Sequence, residues 1–174
     1  MGVRRRGREY ALQMLFAMDL TEYKPDEVFA GFHAIQDLNR DAFYHARRMV
    51  DGIFSHSDEI DGLLSNCAKN WKIPRMAVVD RNLLRLAIYE LKYLSEAPFQ
   101  IIINEALEIA KDFGDVESSH FINGILETAA KELRPVEAAD RGARKRKGKE
   151  PANEVQVEKG STQKIDNGQL TVDS

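Results

Sequence analysis

Apolar residues recur at helical spacing in segment after segment, and this pattern constrains the fold more than any other feature of the chain. Between residues 4 and 20, Ala11, Leu12 and Leu15 mark one apolar face by their i, i+3, i+4 spacing. Six further segments up to residue 134 repeat the pattern, with short breaks such as Ile73-Pro74 between them. The sequence therefore predicts an all-α fold of about seven helices with short connections.

One segment admits a second interpretation. Residues 99–103 are rich in aromatic and β-branched side chains and could form a short strand by propensity alone. The residues that follow, 105–111, are strong helix formers. We therefore expect one helix over 99–113, ended by Gly114.

The composition changes after Pro135. From residue 138 onward aromatic residues vanish, apolar residues thin out, and Gly, Lys, Glu, Asn and Gln dominate. Such a segment buries too little apolar surface to offset the entropy lost on ordering. We expect a helical domain over residues 1–137 and a disordered, charged tail over residues 138–174.

Charge is distributed unevenly along the chain. Residues 1–137 are acidic, with 17 Lys and Arg against 22 Asp and Glu, yet the first eight residues hold four arginines and no acid. Arginine presents a planar fork of donors that matches phosphate oxygens. This arrangement indicates a local anion-binding site, although a solvated, frayed terminus would look the same. A second basic run, residues 141–149, lies in the predicted tail and supports only non-specific attraction to phosphate.

Several classes of function have no residues to carry them. The single cysteine, Cys67, permits no intrachain disulfide and no CxxC site, and it favours a reducing, cytoplasmic environment. The four histidines lie on different segments without metal-ligand spacing, and no phosphate-binding loop or catalytic motif occurs. No apolar run approaches the ~18 residues of a membrane span. We expect no enzyme activity, no metal, no cofactor and no membrane association.

Three residues of uncommon type need an interpretation. Trp71, beside the central break, is expected to fill the core between the two halves rather than to stack on a base. Phe121 could serve either purpose, as a core residue or as an exposed ring that stacks on a base. Gly124, inside the last helix, is expected to allow close packing of another helix.

Four stretches together resemble the NusB family of bacterial transcription antitermination factors. They are RRRGREYALQMLF (residues 4–16), VDRNLLRLAIYEL (79–91), INEALEIAKDFG (103–114) and FINGIL (121–126). The stretches occur in the family's order, and the tail from residue 138 lies outside the resemblance. The resemblance implies two packed helical bundles that bind the boxA element of nascent ribosomal RNA together with the ribosomal protein NusE, within the antitermination complex of RNA polymerase.

The resemblance also implies which residues bind each partner. The residues expected to contact RNA are Arg4, Arg5, Arg6, Arg8, Gln13, Phe16, Glu117, Ser118, His120 and Phe121. Asp80 and Arg81 correspond to the helix expected to face NusE. An arginine cluster can hold phosphates while aromatic and polar groups meet unstacked bases.

Two other functions compete with RNA binding. A helical adaptor could keep the fold and bind only protein, in which case the arginine cluster would be dispensable. Helical domains of this kind also precede RNA methyltransferase domains, but these residues include no Gly-rich cofactor loop. Self-association of the isolated chain is left open.

Overall fold

The expected helices form, and an eighth follows them. The computed structural model describes residues 2–35 and 37–147, and within those ranges it contains α-helices, one short 3₁₀ turn at Ile73–Arg75 and no strand. The helices are α1 (Val3–Thr21), α2 (Pro25–Ile35), α3 (Arg40–Ser55), α4 (Ser57–Cys67), α5 (Val78–Tyr93), α6 (Phe99–Phe113), α7 (Ser118–Leu133) and α8 (Pro135–Lys147). Residues 99–103 are helical, so the helix interpretation of that segment is confirmed.

Helices α1, α2 and α3 form the first bundle. Asn39 caps α3, because its Oδ1 accepts a hydrogen bond from the backbone N–H of Ala42 at 2.9 Å. Gly7 lets α1 approach α3 closely, since a Cβ there would lie 2.6 Å from Cδ2 of His45. The first turns of α1 are therefore fixed against the body of the protein rather than frayed.

Helices α4 to α7 form the second bundle, and α5 joins the two. Ten of the sixteen residues of α5 are buried, because α1, α3, α4, α6 and α7 all pack against it. Gly52 of α3 meets Tyr89 of α5, where a Cβ would lie 2.1 Å from the tyrosine hydroxyl oxygen. Gly124, by contrast, is exposed and a Cβ there would touch nothing, so its expected packing role is wrong.

The predicted start of the disordered tail differs from the structure. Residues 138–147 belong to α8, which begins at Pro135, a residue well suited to the first turn of a helix. Long-range polar contacts hold α8, including a hydrogen bond from the Phe99 N–H to Glu137 at 3.1 Å and an ion pair between Arg141 and Glu127 at 2.6 Å. The rest of the expected tail, residues 148–174, lies outside the described residues. Within the described ranges, no helix is long and apolar enough to cross a membrane.

Candidate nucleic-acid interface

The N-terminal arginines lie on the first turns of α1, but they occupy different environments. Arg4 is largely exposed and lies 3.5 Å from a carboxylate oxygen of Glu96. Arg5 is half-buried and donates two hydrogen bonds to Glu105, one of them at 3.0 Å. These bonds hold the pKa of Glu105 below its ordinary value, although burial opposes them. Arg6 is exposed.

Arg8 lies inside the fold, where an ion pair occupies its donors, although it also lines the depression that holds Arg4 and Arg5. Its side chain is only 7% exposed, and its Nε and Nη2 each donate a hydrogen bond of 2.7 Å to the carboxylate of Glu90 on α5. Burial lowers the pKa of Arg8, but the hydrogen bonds and charge of Glu90 raise it more, so the guanidinium stays charged. The expected cluster of four surface arginines therefore contains one that joins α1 to α5.

Gln13 and Phe16 continue the outer face of α1. Successive spacings of three, four and three residues separate Arg6, Glu9, Gln13 and Phe16, so all four lie on one stripe of the helix. Gln13 is half-buried and Phe16 is 38% exposed. This stripe forms a polar and aromatic surface next to the exposed arginines.

A second cluster of expected RNA-binding residues lines a groove of about 900 Å³ between the α4–α5 connection and the start of α7. We call it the aromatic groove and define it by Trp71, Asp80, Glu117, Ser118, His120 and Phe121. The rings of Trp71 and Phe121 meet edge to face, with their centroids 5.2 Å apart. Trp71 is 58% exposed, so the expectation that it fills the core is wrong. Phe121 is half-buried.

Asp80 brings an unpaired acceptor to this groove. The residue is buried, and its Oδ1 finds no hydrogen-bond partner within the part of the chain that the structure describes. Burial and the charge of Asp115 raise the pKa of Asp80, while a hydrogen bond with Ser118 opposes them. Ser118 in turn accepts a hydrogen bond from the backbone N–H of Asp115 at 2.9 Å. A buried carboxylate oxygen without a hydrogen-bond partner is costly, which singles out Asp80 among the residues of the aromatic groove.

Arg81, the neighbour of Asp80, serves a different region. Its Nη2 donates a hydrogen bond of 2.8 Å to Asp19 of α1, and its Nη1 donates one of 3.4 Å to the carbonyl of Ile73. Burial alone would raise the pKa of Asp19, but hydrogen bonds from Arg81 and Asn82 lower it by more. The net pKa is lowered, so the carboxylate remains charged. The two residues expected to face NusE thus lie on different sides of α5.

The two clusters are linked by the end of α6. The charges of Arg5, Arg6 and Asp112 all act on Glu9 of α1, although burial is the main reason why the pKa of Glu9 is raised. Asp112 lies just before Gly114, where the chain turns toward the aromatic groove. The arginines of α1 and the aromatic groove are therefore two separate regions, and the end of α6 lies near both. Trp71 was not among the residues expected to bind RNA. Its aromatic type was a signal for such a role, but the sequence could not show that its side chain is exposed.

Comparison with known proteins agrees with this architecture. The model of the NusB family matches residues 5–131. The transcription antitermination protein NusB of Myxococcus xanthus (strain DK1622) is 44% identical over 134 residues, which cover 75% of this chain and 96% of that relative. The solved structure described as T. maritima NusB has a TM-score of 0.69 at 37% identity and covers 79% of this chain and 96% of its own.

A second solved structure contains the antitermination factors NusB and NusE in complex with dsRNA. Its matching chain has a TM-score of 0.69 at 28% identity and covers 76% of this chain and 98% of its own. The fold is thus that of the all-helical antitermination factors. More particularly, the chain belongs to the NusB family, which confirms the resemblance seen in the sequence. The role that the relatives' name describes, antitermination of transcription, is non-enzymatic.

Proposed function

We propose that this chain is a transcription antitermination factor that binds boxA-type single-stranded RNA of nascent ribosomal transcripts together with NusE. Membership of the NusB family supports the role, and the solved complex of NusB and NusE with dsRNA supports the partners. The observation that carries the proposal is that the same domain presents exposed cations at the start of α1 and the partly exposed rings of Trp71 and Phe121 in the aromatic groove. Exposed cations bind the phosphates of RNA, and aromatic rings stack on its unpaired bases.

The structure suggests a division of roles among the expected residues. Arg4 and Arg6 hold phosphates, and Arg5 does so when a phosphate competes with Glu105. Phe121 and Trp71 stack on bases. Gln13 and Phe16 contact base edges or sugars beside the arginines of α1, and Glu117 and His120 do so in the aromatic groove. Ser118 is buried and acts through its hydrogen bond with Asp80. Arg8 positions α1 and does not contact RNA.

NusE is proposed to bind near the start of α5, next to the RNA. Asp80 lines the aromatic groove there, and its unpaired, buried oxygen becomes available to accept a hydrogen bond from the partner or the RNA when the side chains around it move. Arg81 keeps its bridge to Asp19 and supports the helix from the other side. The chain performs no catalysis, carries no cofactor, and acts in the cytoplasm with RNA polymerase.

A helical adaptor that binds only protein is the competing function. Both functions need the fold and the NusE surface, but only RNA binding needs Arg4 and Arg6 to be free of strong internal pairs. The Arg4–Glu96 pair is exposed and long, so it contributes little to stability. Replacing these two arginines therefore separates the two functions without unfolding the chain.

The test is a gel shift of the full chain with boxA RNA, with and without NusE, at several stated salt concentrations. A duplex of the same sequence shows whether unstacked bases are required. The Arg4→Gln/Arg6→Gln variant should bind more weakly, and its slope of log affinity against log salt should fall by about 0.7 for each phosphate that is no longer bound. Arg40→Gln/Lys131→Gln is the matched control, because it removes the same charge from exposed sites outside both clusters. Unchanged RNA affinity and slope in the first variant would favour the adaptor.

A further inference from the structure

Helix α8 builds a second basic surface, apart from the arginines of α1. It lies beyond the residues that the NusB family model matches, which end at 131. A groove of about 1140 Å³ separates α8 from the connection between α5 and α6. We call it the α8 groove and define it by Ser95, Ala97, Pro98, Asp140, Arg144 and Lys145.

The position of α8 is fixed by contacts made within the fold. Arg134, just before α8, donates hydrogen bonds to the carbonyls of Leu94 and Ala97 at 2.9 and 2.7 Å. Arg141 pairs with Glu127, and its guanidinium carbon lies 5.7 Å from the centroid of the Phe99 ring. The basic residues that follow on α8 are thus presented from an anchored helix.

The charges in the α8 groove differ in whether they are already neutralised. Glu137 pairs with Arg134, and Glu96 pairs with Arg48 at 2.7 Å and with Arg4. Arg144 and Lys145 are exposed and form no ion pair with any residue in the described ranges, and Asp140 is the one groove carboxylate there without an ion-pair partner. Two cations against one acid leave the groove attractive to a polyanion.

The α8 groove is continuous with the N-terminal arginines. Ala97 lines both this groove and the depression that holds Arg4 and Arg5. The side chain of Glu96 reaches Arg4 from the same connection. A strand held by Arg4 therefore needs only to cross the 95–98 connection to meet α8.

We propose that Arg144 and Lys145 bind phosphates of the RNA that flank the boxA-type segment, so that α8 extends the RNA-binding surface. The inference rests on the proposed function, because it assumes that the arginines of α1 hold the same RNA. Helical spacing supports it, since Arg144 and Lys145 follow Arg141 by three and four residues and share the face turned toward the groove. Arg146 lies on the opposite face of α8 and is also exposed.

The experiment compares two RNAs bound by the full chain with NusE, the boxA segment alone and the same segment with single-stranded flanks. Fluorescence anisotropy at several salt concentrations gives the affinity and the salt slope. Arg144→Gln should weaken binding of the flanked RNA several-fold and lower its slope by about 0.7, with a similar further loss in Arg144→Gln/Lys145→Gln. Binding of the short RNA should not change. Arg146→Gln is the matched control, because it removes the same charge from the same helix and should leave both RNAs unaffected.

Three results would overturn the inference. They are unchanged binding of flanked RNA by Arg144→Gln/Lys145→Gln, an equal loss in Arg144→Gln and Arg146→Gln, and a loss of NusE binding instead of RNA binding. Failure of the proposed function looks different, since the wild-type chain with NusE would then bind neither RNA. Circular dichroism of each variant checks that α8 remains helical.

Discussion

Replacing Arg8 should lower the free energy of unfolding much more than it lowers the RNA affinity of the folded protein. Arg8→Met removes one partner of a buried, doubly hydrogen-bonded ion pair and leaves the carboxylate of Glu90 uncompensated, at 6% exposure. Such a loss costs about 3–5 kcal/mol of unfolding free energy, a large part of the roughly 5–15 kcal/mol typical of a domain. The same change at exposed Arg6 should cost less than about 0.5 kcal/mol. Urea denaturation of the full chain measures both values.

No neighbouring histidine takes the place of the arginine beside Glu90. His45 is half-buried with its Nε2 unpartnered in the described structure, and burial lowers its pKa, so it is neutral near pH 7. In Arg8→Met, the buried carboxylate of Glu90 therefore loses its doubly hydrogen-bonded cation without a substitute.

A second variant keeps the reasoning testable if Arg8→Met does not fold. Arg8→Met/Glu90→Met removes both charges and should recover most of the lost stability. Once folded, it should bind RNA with wild-type affinity, because neither side chain reaches the surface. The reasoning is refuted if Arg8→Met is as stable as Arg6→Met, or if the folded double variant loses RNA affinity.

Two further predictions concern the aromatic groove. Asp80→Asn should raise the melting temperature at pH 7. Burial raises the folded pKa of Asp80, so the charged carboxylate opposes folding at this pH, and the asparagine removes that penalty. The gain in melting temperature should shrink as the pH falls through that pKa, and a variant less stable than wild type at pH 7 would contradict the prediction. Phe121→Ala should weaken RNA binding by about 1–3 kcal/mol without changing the salt slope. The ring is half-buried, so its loss should lower the free energy of unfolding by only about 1 kcal/mol. A thermal melt beside the RNA titration separates the two effects, and unchanged affinity per folded molecule would exclude stacking.

Helix positions could be predicted because each helix buries one face against the core. In residues 75–94, for example, apolar residues such as Leu83, Leu86 and Ala87 recur at helical spacing, and in the structure ten of the sixteen residues of α5 are buried. Asn39 could be recognised as a cap because capping is a local interaction. Such features depend on residues within a few positions of each other, which a sequence displays directly.

Features that depend on distant residues were not predictable. Arg8 belongs to a run of arginines that indicates a surface, but its partner Glu90 lies 82 residues away. Helix α8 has few apolar residues and is held by Glu127 and Phe99, so periodicity gave no sign of it. Gly124 and Gly52 both lie in helices, yet only Gly52 meets another helix. These outcomes follow from chain topology rather than from local propensity.

The strength of each ion pair determines which arginines remain available to RNA. Arg4 and Glu96 form an exposed pair that is worth at most about 1 kcal/mol, so a phosphate can displace the carboxylate at little cost. Arg5 shares Glu105 with Arg8 in a half-buried setting and yields less readily. Arg8 cannot exchange Glu90 for a phosphate without exposing a buried carboxylate. The same acidic residues repel a polyanion that approaches without displacing them. Because of this repulsion, the arginines of α1 bind most favourably to RNA that also gains contacts in the aromatic groove.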